Sequence, residues 1–239
     1  MGRAGQWATT AVVAAVAAIG LAACSSFPTT VASRPLSPIA RGEVRRIAVL
    51  PFTTVALAPD REAAALGAEP LTESPGETVT RAVTTAMREQ TQWVLVDDLI
   101  VGEAVRQVSG ELRPPTADEA RSIAKVLRAD AVLRGDVRVF EERIGTELAA
   151  KRPAHVVFGV ELLRAPDGTA LWQGEYSEQQ QSLSENLWNL PGFVRAGGTW
   201  VRAGELAELG ASQIVTRLHT ALYGAPPPRT SGAKKKPAK

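Results

Sequence analysis

The chain has 239 residues, 27 of them basic and 25 acidic, with one cysteine and a formal net charge of +2. Five basic residues and no acidic ones lie in Ala225–Lys239, so the sequence pI of about 8.9 comes from this tail and does not indicate a nucleic-acid-binding domain. The single cysteine excludes a disulfide within the chain. Only the N-terminal segment holds a long apolar run, which excludes a channel with several membrane spans.

The N-terminus has the pattern of an export signal. Arg3 precedes an apolar run from Trp7 to Ala23, which is short for a spanning helix of about 20 residues. The run ends in Leu21-Ala22-Ala23-Cys24, which resembles the lipobox of bacterial lipoproteins. We therefore predict a signal peptide over residues 1–23, with cleavage before Cys24. The alternatives are a plain secretory signal with a chance cysteine and a retained membrane anchor.

The lipobox resemblance implies a covalent lipid on Cys24. In that family the thiol takes a diacylglycerol and the new amino terminus is acylated, with palmitate as a typical acyl group. Each buried methylene contributes about 0.8 kcal/mol, so several acyl chains give a durable membrane anchor. Ser25 stands where an Asp retains lipoproteins of enteric-type bacteria in the inner membrane. We therefore predict that the protein is anchored at the periplasmic face of the outer membrane rather than in the inner membrane.

Composition divides the rest of the chain into three parts. Residues 24–44, with three prolines and few large apolar side chains, are predicted to be an extended, lipidated tether. Residues 45–224 are predicted to form a single α/β domain. Residues 225–239, rich in proline and then lysine, are predicted to be a disordered basic tail, because they have nothing to bury.

Apolar periodicity predicts the elements of the domain in the order β-α-β-α-α-β-β-β-α. The strands are predicted over 45–52, 93–97, 130–140, 154–163 and 170–176, and the helices over 75–90, 99–108, 116–127 and 203–223. Thr116 and Glu119 have the spacing of a capping box, and Asp167-Gly168 is typical of a hairpin turn. Two crossovers followed by a meander indicate an α/β fold with packed helices on a mixed sheet.

Three segments, in this order, resemble a group of envelope proteins. The segments are Ile47-Ala48-Val49-Leu50-Pro51-Phe52, Trp93-Val94-Leu95-Val96-Asp97 and Leu127–Val137. The group contains the curli-secretion lipoprotein CsgG, the penicillin-binding-protein activator LpoB and the amino-terminal domain of TolB. The resemblance implies a fold like that TolB domain. It also implies an accessory or assembly role in envelope biogenesis or secretion through protein–protein interaction, with activation of a peptidoglycan synthase as the alternative.

The same comparison indicates that the chain forms no pore. The segment Glu141–Pro153 stands where a channel-forming member would carry membrane-spanning strands of about 9–11 residues each, and it is too short and too charged for two of them. The tether before Arg45 is also shorter than the long reach with which a penicillin-binding-protein activator crosses the peptidoglycan.

The residue patterns give little support for enzyme chemistry. His155 and His219 are the only histidines and have no cysteine or glutamate at ligand spacing, so we predict no metal site. The Asp97-Asp98 pair follows a strand and is predicted to cap a helix. We therefore predict a protein that is not an enzyme and has no cofactor beyond the covalent lipid. A hydrolase with an unrecognised site is the alternative.

Two clusters are candidate contact surfaces. Trp188, Phe193 and Trp200 crowd a glycine-rich segment and are candidates for binding an envelope protein, because aromatic side chains anchor interfaces. The alternative is that they fold back onto the sheet. Lys234, Lys235 and Lys236 are candidates for contact with anionic lipid or a polyanion, and the alternative is a solubilising tail. The expected partners are the membrane and an envelope protein, with no nucleic acid, and homo-oligomerisation stays open.

Overall fold

The computed structural model describes residues 30–37, 43–55, 73–110, 115–145, 150–179 and 200–225. Within these ranges the chain forms nine strands and four helices. The strands are β1 (Thr30–Pro35), β2 (Arg46–Val49), β3 (Thr53–Thr54), β4 (Val94–Leu95), β5 (Ala131–Glu141), β6 (Ile144–Gly145), β7 (Ala150–Arg152), β8 (His155–Arg164) and β9 (Ala170–Gln179). The helices are α1 (Pro75–Gln90), α2 (Asp98–Ser109), α3 (Ala117–Leu127) and α4 (Ala203–Tyr223).

Seven of these strands form one mixed sheet in the order β1-β9-β8-β5-β2-β4, with β3 beside β5. The central strand β5 runs parallel to β2 and antiparallel to β8. At the two edges, β4 is parallel to β2 and β1 is antiparallel to β9. The predicted mixed α/β sheet is confirmed, and so is the predicted element order, carried by β2, α1, β4, α2, α3, β5, β8, β9 and α4.

Sequence signals at the helix ends have the expected effect on the backbone. The predicted capping box at Thr116 and Glu119 is present at the start of α3. Asp97 caps α2 as predicted, because its carboxylate accepts a hydrogen bond from the Leu99 N–H at 3.0 Å. Gly110 ends α2 in the left-handed region, at φ 67°.

Both faces of the sheet carry a pair of helices. α1 and α4 pack against one face, over a large core that includes the fully buried side chains Val79, Met87, Phe158, Tyr176 and Ile214. α2 and α3 pack against the other face, over a smaller core that includes Ala48, Leu50, Ile123, Val132 and Leu163. Burial of each large apolar side chain contributes about 1.5–3 kcal/mol, so these two cores hold the helices on the sheet.

The segment Thr30–Pro35 differs from the prediction. It lies within residues 24–44, predicted to be an extended tether, yet it forms β1 and pairs with β9 from Thr30 opposite Ser177 to Pro35 opposite Trp172. Within Val31–Pro35, whose burial the structure describes, only Val31 is buried, so these residues lack the alternation by which a strand is recognised. Backbone hydrogen bonds to β9 hold β1 in place, and such bonds do not depend on the pattern of side chains in the sequence.

Candidate functional site

Most of the residues predicted to make contacts lie outside the described residues. These are Cys24, Trp188, Phe193, Lys234, Lys235 and Lys236. Trp200 is described: it is 8% exposed, and its backbone carbonyl accepts a hydrogen bond from the Arg143 guanidinium. The candidate role of Trp200 as a partner contact, and the alternative that it folds back onto the sheet, both stay predictions.

The two histidines occupy separate positions. His155 Nδ1 lies 3.9 Å from a carboxylate oxygen of Glu141 at one end of the β5–β8 pair. The His219 ring packs in α4 against the rings of Trp93 and Tyr223, with centroid distances of 5.7 and 4.8 Å. Over the ranges that the structure describes, no group of three or more His, Cys, Asp or Glu residues is placed to hold a metal ion.

A cavity of about 750 Å³ lies between α1, α2 and the segment that follows β2. This volume is in the range of roughly 300–1,000 Å³ that is typical of small-molecule sites. The carboxyl end of a parallel strand is also a common position for ligands in α/β sheets. The cavity wall is rich in hydroxyl groups, contributed by Thr53, Thr54, Ser74, Thr80, Thr84 and Thr85.

α1 supplies most of this wall because of how it begins. Ser74 and Glu77 form a capping box, and Pro75 takes the first helical position, so the first turn is fixed beside β3. A Cβ at Gly76 would lie 2.2 Å from the Phe52 carbonyl oxygen, so only glycine allows α1 to approach the end of β2 this closely. Helical spacing then places Thr80 and Thr84, one turn apart, on the same wall.

Two of the cavity hydroxyls are buried without a hydrogen-bond partner among the described residues. Thr84 is 3% exposed, and its Oγ1 makes no hydrogen bond. Thr53 Oγ1, on the facing segment, is likewise buried and unpaired. Thr80 differs, because its hydroxyl accepts from the Phe52 N–H at 2.8 Å and donates to the Gly76 carbonyl at 2.7 Å.

The charged groups of the cavity are already engaged with one another. Arg88 donates to both carboxylate oxygens of Asp98, at 3.2 and 3.3 Å, and so links α1 to the start of α2. Arg81 pairs with Glu73. Hydrogen bonds from the hydroxyl and backbone of Ser74 hold the pKa of Glu77 below its ordinary value, so this carboxylate is ionised at neutral pH.

A second feature is a group of three exposed apolar side chains, Val94, Leu99 and Ile100, which lie within seven residues of sequence and which we call the 94–100 patch. Its members are 55%, 84% and 57% exposed, at edge strand β4 and the first turn of α2. The buried stripe of α2 consists instead of Val101, Ala104 and Val105. Packing within the domain therefore makes little use of the apolar side chains of this patch.

The part of the sheet surface that the helices α2 and α3 leave uncovered is charged. Arg134 and Glu161 face each other across β5 and β8 and pair at 2.6 Å. Arg138 joins Asp136 and Glu175 and lies across Gly159, where a Cβ would meet its guanidinium at 2.4 Å. Opposite charges paired in this way are typical of a solvated sheet face.

The cavity was not predictable from the sequence, because its residues come from separate segments that only folding brings together. The one available signal was the polar stripe of Thr80, Thr84 and Arg88 along a helix whose other face is apolar. Such a stripe is ordinary for an exposed helix face, so spacing alone does not distinguish it from a binding wall.

Comparison with known proteins assigns the chain to no family. No family model and no curated protein matches it. The PelC dodecamer from Paraburkholderia phytofirmans matches with a TM-score of 0.47 and 14% identity, over 79% of this chain and 96% of that chain. Lipoprotein GNA1162 from Neisseria meningitidis matches with a TM-score of 0.38 and 21% identity, over 64% and 96%.

The LpoB C-terminal domain from Salmonella enterica matches with a TM-score of 0.37 and 16% identity, over 59% of this chain and 86% of that chain. Likeness of this size establishes neither a family nor a function. None of the described helices combines the length and the hydropathy that crossing a bilayer requires.

Proposed function

We propose that the chain is a lipid-anchored protein of the bacterial envelope that acts without catalysis, as an accessory or assembly module that binds another envelope protein. The export signal and the lipobox ending at Cys24 support the anchor. The position of Ser25 supports the outer membrane as its location. The 94–100 patch is the observation that carries the binding role.

The 94–100 patch has the properties of a contact surface. Leu99 and Ile100 lie in the first turn of α2, whose start is fixed by the Asp97 cap, so little backbone entropy is lost when they contact a partner. The Arg88–Asp98 pair lies directly beside them and provides a polar rim. An apolar centre with a charged rim is typical of interfaces between proteins.

The position of the domain favours a partner close to the membrane. Thr30, where β1 begins, lies only six residues after Cys24 in the sequence. Six extended residues span at most about 20 Å, so an anchored domain stays near the bilayer surface. This short distance supports an assembly role at the membrane over activation of a synthase across the peptidoglycan.

Site-specific photo-cross-linking in the native cell tests this proposal. A photoreactive residue replaces Leu99 in the full-length protein with Cys24 intact, and a matched control carries it at Gln107, an exposed polar position on the same helix. We expect one defined envelope-protein adduct from position 99, none from position 107, and loss of the adduct when Ile100→Asp is added. Equal adducts from both positions, or none from 99, would contradict the binding role.

The identity of the adduct then selects the role. A transport or outer-membrane component supports the assembly role, and a penicillin-binding protein supports activation of a synthase instead. A second copy of this chain would show that the 94–100 patch is a self-association surface.

A further inference from the structure

Strand β1 is joined to the sheet mainly through its backbone. Within Val31–Pro35 four of the five side chains are exposed, and Val31 alone is buried. The side chain of Arg34 donates a hydrogen bond to Gln173 across the strand pair, but at 3.4 Å and in an exposed position. Cross-strand contacts between side chains are the main source of stability in a sheet. β1 therefore has few of the contacts that hold the inner strands in place.

The rest of the core does not need β1 in order to stay packed. Tyr176, which lies opposite Val31, keeps its contact with the Phe158 ring at a centroid distance of 5.3 Å. The same tyrosine ring packs against Gly210 of α4, where a Cβ would come within 2.5 Å of it. β9 is also paired along its other side with β8, from Ala170 to Gln179. Removal of β1 would therefore leave β9 in the sheet.

The chain is fixed to the domain again at Glu43 and Val44. The Glu43 carboxylate pairs with Arg164 at 2.6 Å. Val44 is 2% exposed, and its carbonyl accepts a hydrogen bond from the Tyr223 hydroxyl at 3.0 Å. We propose that residues 30–37, which we call the strap, leave the sheet as one unit while the rest of the domain stays folded. Openings of this kind are typical of segments with few buried apolar contacts.

Release of the strap changes where the chain first meets the domain. In the paired form this point is Thr30, and in the released form it is Glu43. A lipid-anchored domain is then held by a longer segment and reaches partners farther from the bilayer. A partner beyond the reach of the paired form binds only the released form, and its binding shifts the population toward release. This consequence rests on the proposed lipid anchor, whereas the release itself does not.

The alternation of amides along β9 provides a test within one strand. The Leu36 N–H donates to the carbonyl of Leu171, the residue opposite it, at 2.9 Å. Because paired residues of antiparallel strands alternate between bonded and non-bonded, this contact fixes which amides of β9 face β1. The set that faces β1 consists of Gln173, Glu175 and Ser177. The set that faces β8 consists of Trp172, Gly174 and Tyr176.

Amide hydrogen exchange at single residues, on the full-length protein in phospholipid nanodiscs, tests the proposal. We expect the three amides that face β1 to share one protection factor, at least about 10-fold below that of the set that faces β8. Val31→Ser removes the buried side chain of β1 and should lower this shared protection by at least about 10-fold further. The control Ser33→Ala, at an exposed position of the same strand, should leave it unchanged.

A disulfide provides the opposite perturbation. Arg34 and Gln173 are both exposed and lie directly opposite each other as a bonded pair, at a Cα–Cα distance of about 5.5 Å, which a disulfide accommodates. In the oxidised form of Arg34→Cys with Gln173→Cys, protection of Glu175 and Ser177 should rise by at least about 10-fold. Reduction of the same sample should reverse this rise and serves as its control.

Three results of the exchange experiment would overturn the proposal. One is equal protection of the two sets of amides in the unmodified protein. Another is protection that falls gradually from Gln173 to Ser177, which would indicate fraying from one end instead of release as a unit. The third is an oxidised disulfide that leaves the exchange of Glu175 and Ser177 unchanged. Fractionation of Cys24→Ser tests the anchor separately, so failure of the anchor and failure of the strap are distinguishable.

Energy transfer measured on single molecules tests the consequence for reach. The donor is a fluorescent amino acid at Gln107, an exposed position of α2, and the acceptor is a labelled lipid in the same nanodiscs. We expect Val31→Ser to enlarge the population with low transfer, in which the domain lies far from the bilayer. The oxidised disulfide should remove that population, and reduction should restore it. A distribution of transfer efficiencies that neither change alters would overturn the proposal.

Discussion

Replacing Thr84 with valine should stabilise the protein, although the side chain lies in the interior. The hydroxyl is taken out of water on folding, and it gains no hydrogen bond from the described residues. A buried polar group left unpaired costs about 1–3 kcal/mol, and valine has a similar volume and a helix propensity close to that of threonine. We expect the free energy of unfolding to rise by about 1 kcal/mol, which corresponds to an increase in Tm of roughly 2–4 °C for a protein of this size.

Thr80→Val, one turn earlier on α1, is the matched comparison and should act in the opposite direction. Removal of its hydroxyl leaves the Phe52 N–H without the acceptor that it has at 2.8 Å, so we expect a loss of about 1–3 kcal/mol. Urea unfolding followed by circular dichroism measures both changes from the midpoint at unchanged slope. If Thr84→Val lowers the midpoint as Thr80→Val does, the Thr84 hydroxyl has a hydrogen-bond partner and its burial does not destabilise the fold, which would refute this prediction.

Three further predictions concern other parts of the chain. Gly210→Ala should lower the free energy of unfolding, measured with urea, by about 1–3 kcal/mol, because the new Cβ would lie 2.5 Å from the Tyr176 ring. The control Gly204→Ala, on the same helix, places its Cβ no closer than 3.9 Å to any neighbour and should be neutral or stabilising. Cys24→Ser should move the protein from the membrane to the soluble fraction, and unchanged fractionation would contradict lipidation. Because the pKa of Glu77 is lowered from its ordinary value of 4.5, its ionised carboxylate stabilises the fold fully above pH 4.5. This stabilisation is lost as the pH falls through the lowered pKa. Glu77→Gln should therefore lose less stability on acidification than the unmodified protein, and identical pH profiles would exclude the contribution.

The elements with strong local signals were predictable from sequence. α4 has the predicted bounds because a regular apolar stripe runs from Leu206 to Leu222 and Gly224 ends it. α1 likewise begins at Pro75, where the cap, the proline and the stripe agree. The capping box at Thr116 also marks its helix directly. In each case the information lies within a few neighbouring residues, so chain order alone reveals it.

The features that depend on contacts between distant segments were not predictable in this way. β4 keeps only two paired residues of the five predicted, because as an edge strand it is bonded only to β2. The burial of Trp200 follows from the packing around it and has no local signature. The cavity requires the end of β2, the polar side of α1 and the start of α2 to meet, and its two unpaired hydroxyls are visible only after folding.

The edge strand β1 determines how far an anchored domain can travel. If the sheet began at β2, its first residue, Arg46, would lie 22 residues after Cys24 and the maximal reach would be about 75 Å, whereas pairing of β1 with β9 limits this reach to about 20 Å. The volume within reach of the lipid falls by a factor on the order of fifty, and the local concentration of the domain at the bilayer rises accordingly. The six-residue edge strand β1 thus sets the length of the segment that joins the lipid to the domain. Weakening the hydrogen bonds between β1 and β9 would lengthen the segment between the lipid and the domain without altering the lipid or the core.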